Sequence, residues 1–231
     1  MHTNAQFLQD NFAAHSPDIH HVMGFELKKL NTEALDFTKN NKALFEIDLR
    51  NTTQFNKFVF GSMIPKGKLA GAGGYFEHRE VYARSEHFGG EEARCIHLGI
   101  DVWIKAGSPL FAPLDATIHS FADNSGFGNY GPTVILRHKL GQLTFYSLYG
   151  HLSVADMSNW KNGKKYKAGE QIGTVGPYPE NGDWPPHLHF QLMTDMLGWK
   201  GDFPGVCAPS QVEFYKQIVP DPKLILGDFE A

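Results

Sequence analysis

The 231-residue sequence predicts a mainly β protein with an antiparallel core and a mixed N-terminal extension, and three observations carry that reading. Glycine (24) and proline (13) are plentiful and are joined by 18 phenylalanines, a composition that suits many short strands connected by turns. Residues 133–153, "TVILRHKLGQLTFYSLYGHLS", read as one long hairpin turning at Leu140-Gly141-Gln142. The run "PPHLHFQL" at 185–192 starts abruptly after two prolines and continues as extended apolar chain.

Taken in order, residues 1–34 are polar, with "NAQFLQDNFAAH" a helical candidate and "DIHHVMGFELKKL" unassigned. His20 and His21 are neighbours, fall on opposite strand faces and read as surface residues. Residues 34–49, "ALDFTKNNKALFEIDL", place alternating apolar positions on either side of Lys39-Asn40-Asn41-Lys42, which predicts a hairpin. "TQFNKFVFGSMI" predicts a short helix before the turn at Pro65-Lys66-Gly67. From "GAGGYFEHREVY" to about Pro209 the texture is short strands and glycine turns. Within it, "AGSPLFAPLDATIHSFAD" and "KAGEQIGTVG" share an Ala-Gly, strand, turn pattern too short to be a repeat array. The expected organisation is an extension over 1–74 with a hairpin and short helices, a core over 75–209, and a proline-punctuated tail over 210–231.

Composition excludes several functions. A formal charge of −4 without any long basic run is not the footprint of a nucleic-acid or acidic-membrane binder. Cys95 and Cys207 form no C-x-x-C pair, so neither a disulfide framework nor a thiolate metal site is indicated. No run of 18 apolar residues occurs, so no membrane insertion is expected. The first 25 residues lack the positive start and apolar stretch of a secretory signal, which sets the expectation of a cytoplasmic protein; a trimmed exported form would read the same.

Three segments carry candidate chemistry. His187 and His189 point to one face of a strand with Cα atoms about 6.6 Å apart, so both rings reach one small object. Alone, the pair reads more simply as hydrogen-bonded core histidines. In "IHLGIDVWI", His97 and Asp101 lie four apart among strand-forming residues, where a straight strand would hold their Cα atoms about 13 Å apart. Sharing one ion therefore requires a bend or bulge at Leu98-Gly99. His151, in "YSLYGHLS", closes the long hairpin beside a glycine, where a strand end aims a side chain into a groove. Cys95 reads as a small buried thiol and His138 as structural support, while Glu77 and His78 are placed to approach the cleft.

In order and spacing, H-x-x-x-D, a looser Y-x-H-L and H-x-H resemble the lysostaphin-type zinc metallopeptidases, which cut peptide cross-bridges of bacterial cell walls; residues 75–195 carry the likeness. The resemblance implies an antiparallel β metallopeptidase core in which His97, Asp101 and His189 hold one zinc ion. It also implies that His151 and His187 are unligated catalytic histidines, acting on a peptide or peptidoglycan-derived substrate. Two imidazoles and a carboxylate leave a fourth zinc position for water, as a catalytic site requires. No H-E-x-x-H glutamate is present, so histidine must move the proton. The competing expectation is a catalytically silent zinc-binding regulatory or interaction domain of the same fold. A lipoyl-like carrier would need a lysine at the tip of the "KAGEQIGTVG" hairpin, and the local lysines precede the strand.

Overall fold

The structure, a computed structural model, describes residues 3–15, 18–89 and 92–230. The described strands are β1 (Thr32–Ala34), β2 (Ala70–Gly73), β3 (Ile96–His97), β4 (Ile100–Trp103), β5 (Pro109–Phe111) and β6 (Ala116–Asn124). They continue with β7 (Gly131–Leu140), β8 (Leu143–Gly150), β9 (Lys165–Tyr166), β10 (Gln171–Thr174), β11 (His187–Met193) and β12 (Val206–Cys207). The α-helices are α1 (Asn4–His15), α2 (Thr52–Phe58), α3 (Val212–Tyr215) and α4 (Lys223–Leu226), none of them long and apolar enough to cross a membrane.

Eight strands form one sheet in the order β1-β2-β4-β11-β8-β7-β6-β9, antiparallel throughout except for the β1–β2 pair. The fold is thus mainly β and mostly antiparallel. The β7–β8 hairpin closes with Leu140 opposite Leu143, so Gly141 and Gln142 make a two-residue turn, and Gly141 supplies the positive φ of 59°. The two Ala-Gly segments become β5 and β10, which pair with each other; each follows a left-handed glycine, Gly107 and Gly169.

Period-2 alternation sorts the central strands into two buried faces. Ile100 and Val102 of β4 and Leu188, Phe190 and Leu192 of β11 join a core with Val134, Leu136 and Tyr149. The opposite face carries Asp101, Trp103, His187, His189 and Gln191, all of them buried. Every residue of β11 is therefore covered on both sides, which an antiparallel strand accepts only where a second layer lies on it. That layer is an aromatic cluster of Phe37, Phe55, Val81, Tyr82, Phe88, Trp103 and Trp184.

Helix α1 forms where the sequence places it, with Leu8 and Phe12 one turn apart and buried in the main core. Helix α2 forms in "TQFNKF", its cap supplied by Asn51 Oδ1, which accepts from the Gln54 N–H at 3.1 Å. The hairpin expected over 34–49 does not form. β1 pairs in parallel with β2 instead, and residues 42–46 curl into a 3₁₀ turn. Local bonds explain the curl: Asp36 Oδ1 accepts from the Thr38 N–H and Asn41 Nδ2 donates to Asp36 O, giving this backbone an alternative to a ladder. The alternating apolar residues Leu35, Phe37 and Leu44 are buried in the aromatic cluster rather than on a two-stranded ribbon. The C-terminal segment is also more than a tail, since Ile225, Leu226 and Phe229 enter the main core.

His138 is buried in β7, its Nε2 at 2.7 Å from Ser147 Oγ and its ring stacked on Phe145 at 4.9 Å. Burial pushes its pKa down to about 4. Between pH 6.5 and 4 the unfolded chain then binds a proton that the folded chain refuses, so stability falls as pH drops and is unaffected by this group above 6.5. Wild-type protein is expected to lose about 2 kcal/mol more than His138→Gln between about pH 6.5 and pH 5, measured by urea unfolding. Equal losses in the two proteins would refute this.

Candidate metal centre

Sheet register assembles the site. Antiparallel pairing of β4 with β11 sets Asp101 opposite His189 and Trp103 opposite His187, and directly opposed side chains start about 5 Å apart. The chain breaks between β3 and β4 at Leu98-Gly99, as the sharing of an ion by His97 and Asp101 requires. β3 leaves the main sheet and pairs with β12, placing Val206 opposite His97. Glycine is needed at the bend, because a Cβ on Gly99 would lie 2.7 Å from the His189 ring. As a result His97 Nε2 stands 2.9 Å from His189 Nδ1, and Asp101 Oδ1 lies 3.3 Å and 3.1 Å from those two nitrogens.

Hydrogen bonds on the far side of each ring fix where the protons are. His97 Nδ1 faces Gly74 O at 3.0 Å, and a carbonyl only accepts, so Nδ1 carries the hydrogen and Nε2 keeps its lone pair. His189 Nε2 faces Gln191 Oε1 at 3.0 Å, and Gln191 Nε2 donates to Pro204 O, which orients the amide and leaves the His189 Nδ1 lone pair inward. Two imidazole lone pairs and a carboxylate oxygen thus converge with no proton among them. Such a set repels itself unless a cation sits between its members, and one ligand atom from each residue lies within 4.8 Å of the others. The donors fit a divalent metal of the zinc type, which takes imidazole and carboxylate ligands.

Electrostatics keep these donors free of protons. Burial, reinforced by the Arg79 charge, pushes His97 down to about 3. Burial alone would raise Asp101, but the charge of the Arg79 guanidinium, which donates to Oδ2, helps hold the carboxyl well below the usual range. Arg79 is fully enclosed: Nη1 donates to Asp101 Oδ2, Nη2 to Gly73 O at 2.9 Å and Nε to Glu77 Oε2 at 2.7 Å. It occupies one carboxylate oxygen of Asp101 and leaves the other facing the histidines.

His151 follows β8 with φ 63°, a left-handed conformation that is uncommon for histidine and turns the ring over the sheet end. Its Nδ1 donates to Asn181 O at 2.8 Å, and His187 Nδ1 donates to Pro185 O at 2.8 Å, so both Nε2 atoms carry lone pairs. The two rings lie 4.1 Å apart, and Trp103 stacks on the other face of His187 at 4.1 Å and 17°. Burial pushes His187 down to about 4, and burial together with the neighbouring His187 depresses His151 strongly.

All five residues singled out in the sequence are buried and meet in one place. Of the secondary candidates, Glu77 reaches the centre only through Arg79, His78 is exposed, and His138 lies in β7 bonded to Ser147. Cys95 is half-buried beside Cys207, to whose carbonyl its N–H donates at 3.1 Å. His20 and His21 are exposed. Sequence reading missed Arg79, Gln191 and Tyr130, whose OH lies 3.2 Å from His189 Nε2. Only Gln191 carried a signal, being two residues beyond His189 on the same strand face.

Comparison with known proteins bears on this geometry. Residues 95–200 match peptidase family M23. An uncharacterized metalloprotease of Haemophilus influenzae is 34% identical over 96 residues, 42% of this chain and 18% of that protein. The L-Ala–D-Glu endopeptidase of Bacillus subtilis is 26% identical over 150 residues, 62% of this chain and 43% of that one. The chain thus spans less than half the length of these curated relatives. The catalytic domain of lysostaphin from Staphylococcus simulans aligns with a TM-score of 0.35 at 25% identity, over 53% of this chain and 80% of that one. All five converging side chains lie within residues 95–200, the stretch that matches peptidase family M23.

Proposed function

We propose that the protein is a zinc-dependent metallopeptidase that hydrolyses a peptide amide bond. The observation that carries the reading is the convergence of His97 Nε2, His189 Nδ1 and Asp101 Oδ1 as three buried, unprotonated donors. These atoms would hold one zinc ion. Bound there, zinc would supply a Lewis acid and would lower the pKa of a water towards about 7.

The chain's own residues supply the proton chemistry. His151 and His187 enter the reaction neutral, because burial depresses both, and each presents Nε2 as an acceptor. One of the pair takes the proton of the attacking water, and the imidazolium so formed donates it to the leaving amine. The stacked Trp103 ring offers its π face to that transient charge. The substrate is a peptide, peptidoglycan-derived or related, as the name of the Bacillus subtilis relative suggests. A silent zinc-binding module would have no use for two further histidines held with lone pairs free, so the hydrolase reading is preferred.

Treatment with a strong chelator is expected to abolish peptide hydrolysis, and one equivalent of zinc to restore it, followed by amine release and metal analysis. Undiminished hydrolysis by metal-free protein would overturn the proposal.

A further inference from the structure

One stretch of chain, residues 73–79, supplies the outer partners of two of the three donor residues. Gly74 O accepts from His97 Nδ1 at 3.0 Å, and Arg79 Nη1 donates to Asp101 Oδ2. Both contacts come from upstream of residues 95–200, the stretch that matches the family.

The backbone there is shaped to deliver the guanidinium. Antiparallel pairing sets Gly73 opposite Asp101, so the carbonyl that anchors Arg79 Nη2 at 2.9 Å belongs to the residue beside the carboxylate. Gly74 follows at φ 109°, where a Cβ would collide with the Arg79 guanidinium and lie 2.8 Å from His97 Nδ1. The Glu77 N–H closes a turn onto Gly74 O at 3.0 Å, and Glu77 Oε2 accepts from Arg79 Nε at 2.7 Å. Glu77 Oε1 in turn accepts from the Phe37 N–H at 3.3 Å, and the Arg79 guanidinium lies 5.3 Å from the Phe37 ring centre. Arg79 N–H donates to Cys95 O and His97 N–H to Glu77 O, each at 2.9 Å, which ties the stretch to β3.

Three Arg79 nitrogens thus have an acceptor each, an arrangement that suits a planar fork and not a point-like ammonium. The consequence falls on Asp101. Its contacts with His97, His189 and His187 all run through Oδ1, at 3.3, 3.1 and 3.9 Å, while Oδ2 is turned to the guanidinium. A carboxylate free to turn can offer a divalent metal both oxygens, and would then take up the position that a catalytic site leaves for water. Arg79 also sets a positive charge beside a site suited to a cation, which opposes metal binding and calls for an orienting reason.

We infer that Arg79 is a positioning residue that restricts Asp101 to one-oxygen ligation, so that the metal keeps a free coordination position. This rests on the zinc reading above for the ion, and on the hydrolase reading only for its effect on rate.

The test loads the full-length protein with cobalt(II) in place of zinc, because the visible absorption of cobalt weakens when a four-coordinate ion gains a fifth ligand atom. Arg79→Met, similar in length and unable to donate, is expected to bind one equivalent of cobalt and to lose absorption per ion relative to wild type. Loaded with zinc, it is expected to lower kcat on a peptide substrate by about 10- to 100-fold and to leave KM unchanged. Glu77→Gln, which loosens the guanidinium without emptying its space, is expected to show part of the same spectral loss. Spectra of wild type and Arg79→Met that coincide at one equivalent of cobalt would overturn the inference. Should Arg79→Met fail to fold or to hold metal, as read by urea unfolding and metal analysis, Glu77→Gln decides, an unchanged spectrum counting against the inference. Should the wild type cut no peptide, the hydrolase reading fails on its own, since the spectra need no turnover.

Discussion

Asp101→Asn is expected to yield a protein that binds no zinc, hydrolyses nothing and, in its metal-free form, unfolds more easily by about 3–5 kcal/mol. The carboxylate has two jobs. Oδ1 lies 3.1 Å from His189 Nδ1 and 3.3 Å from His97 Nε2, where it is the only anionic member of the donor set. Oδ2 accepts from Arg79 Nη1, and both side chains are almost wholly buried. An amide of the same size removes the charge from the metal side and strands a buried guanidinium on the other, with Glu77 as its remaining carboxylate. Metal analysis and urea unfolding read the two effects separately. A double variant, Arg79→Met with Asp101→Asn, is expected to lose less stability than the two single losses added together, because it removes the buried guanidinium together with the carboxylate charge that faces it. Zinc retained at one equivalent by Asp101→Asn would remove Asp101 from the ligand set.

His187→Ala is expected to lower kcat by about 10²- to 10⁴-fold while zinc stays at one equivalent per chain. The ring belongs to the site but not to the donor set, its Nε2 standing 3.9 Å from Asp101 Oδ1 and its faces covered by Trp103 and His151. Truncation also opens a space beneath Trp103, so His187→Gln, which keeps most of the volume, separates lost proton transfer from lost packing. Loss of zinc in both variants would make His187 a ligand, and an unchanged kcat would end its proposed role in proton transfer.

The part of this site written in the sequence is the part held by strand periodicity. Alternation put His187 and His189 on one face, and the 13 Å problem between His97 and Asp101 demanded a bend that the structure places at Leu98-Gly99. The long β7–β8 hairpin was legible for the same reason, a two-residue turn between two alternating runs. What periodicity does not encode went unseen. Arg79 arrives from a loop between β2 and β3, and its partners Glu77, Gly73 and Asp101 are brought together only by the folded chain. Residues 34–49 misled because alternation records that apolar groups must be buried, not against what; Phe37 found Phe55 and Trp103 instead of a neighbouring strand.

The pairing of β3 with β12 has a practical meaning for where the working unit stops. His97 sits on a two-residue strand whose backbone partners are Val206 and Cys207, beyond the stretch 95–200 that matches the family, and its neighbour Leu98 donates its N–H to Gly205 O. A fragment trimmed to the matched stretch would keep every donor atom yet release the short strand that aims one of them. The polypeptide needed to hold the three donors in place is longer than the stretch that matches the family.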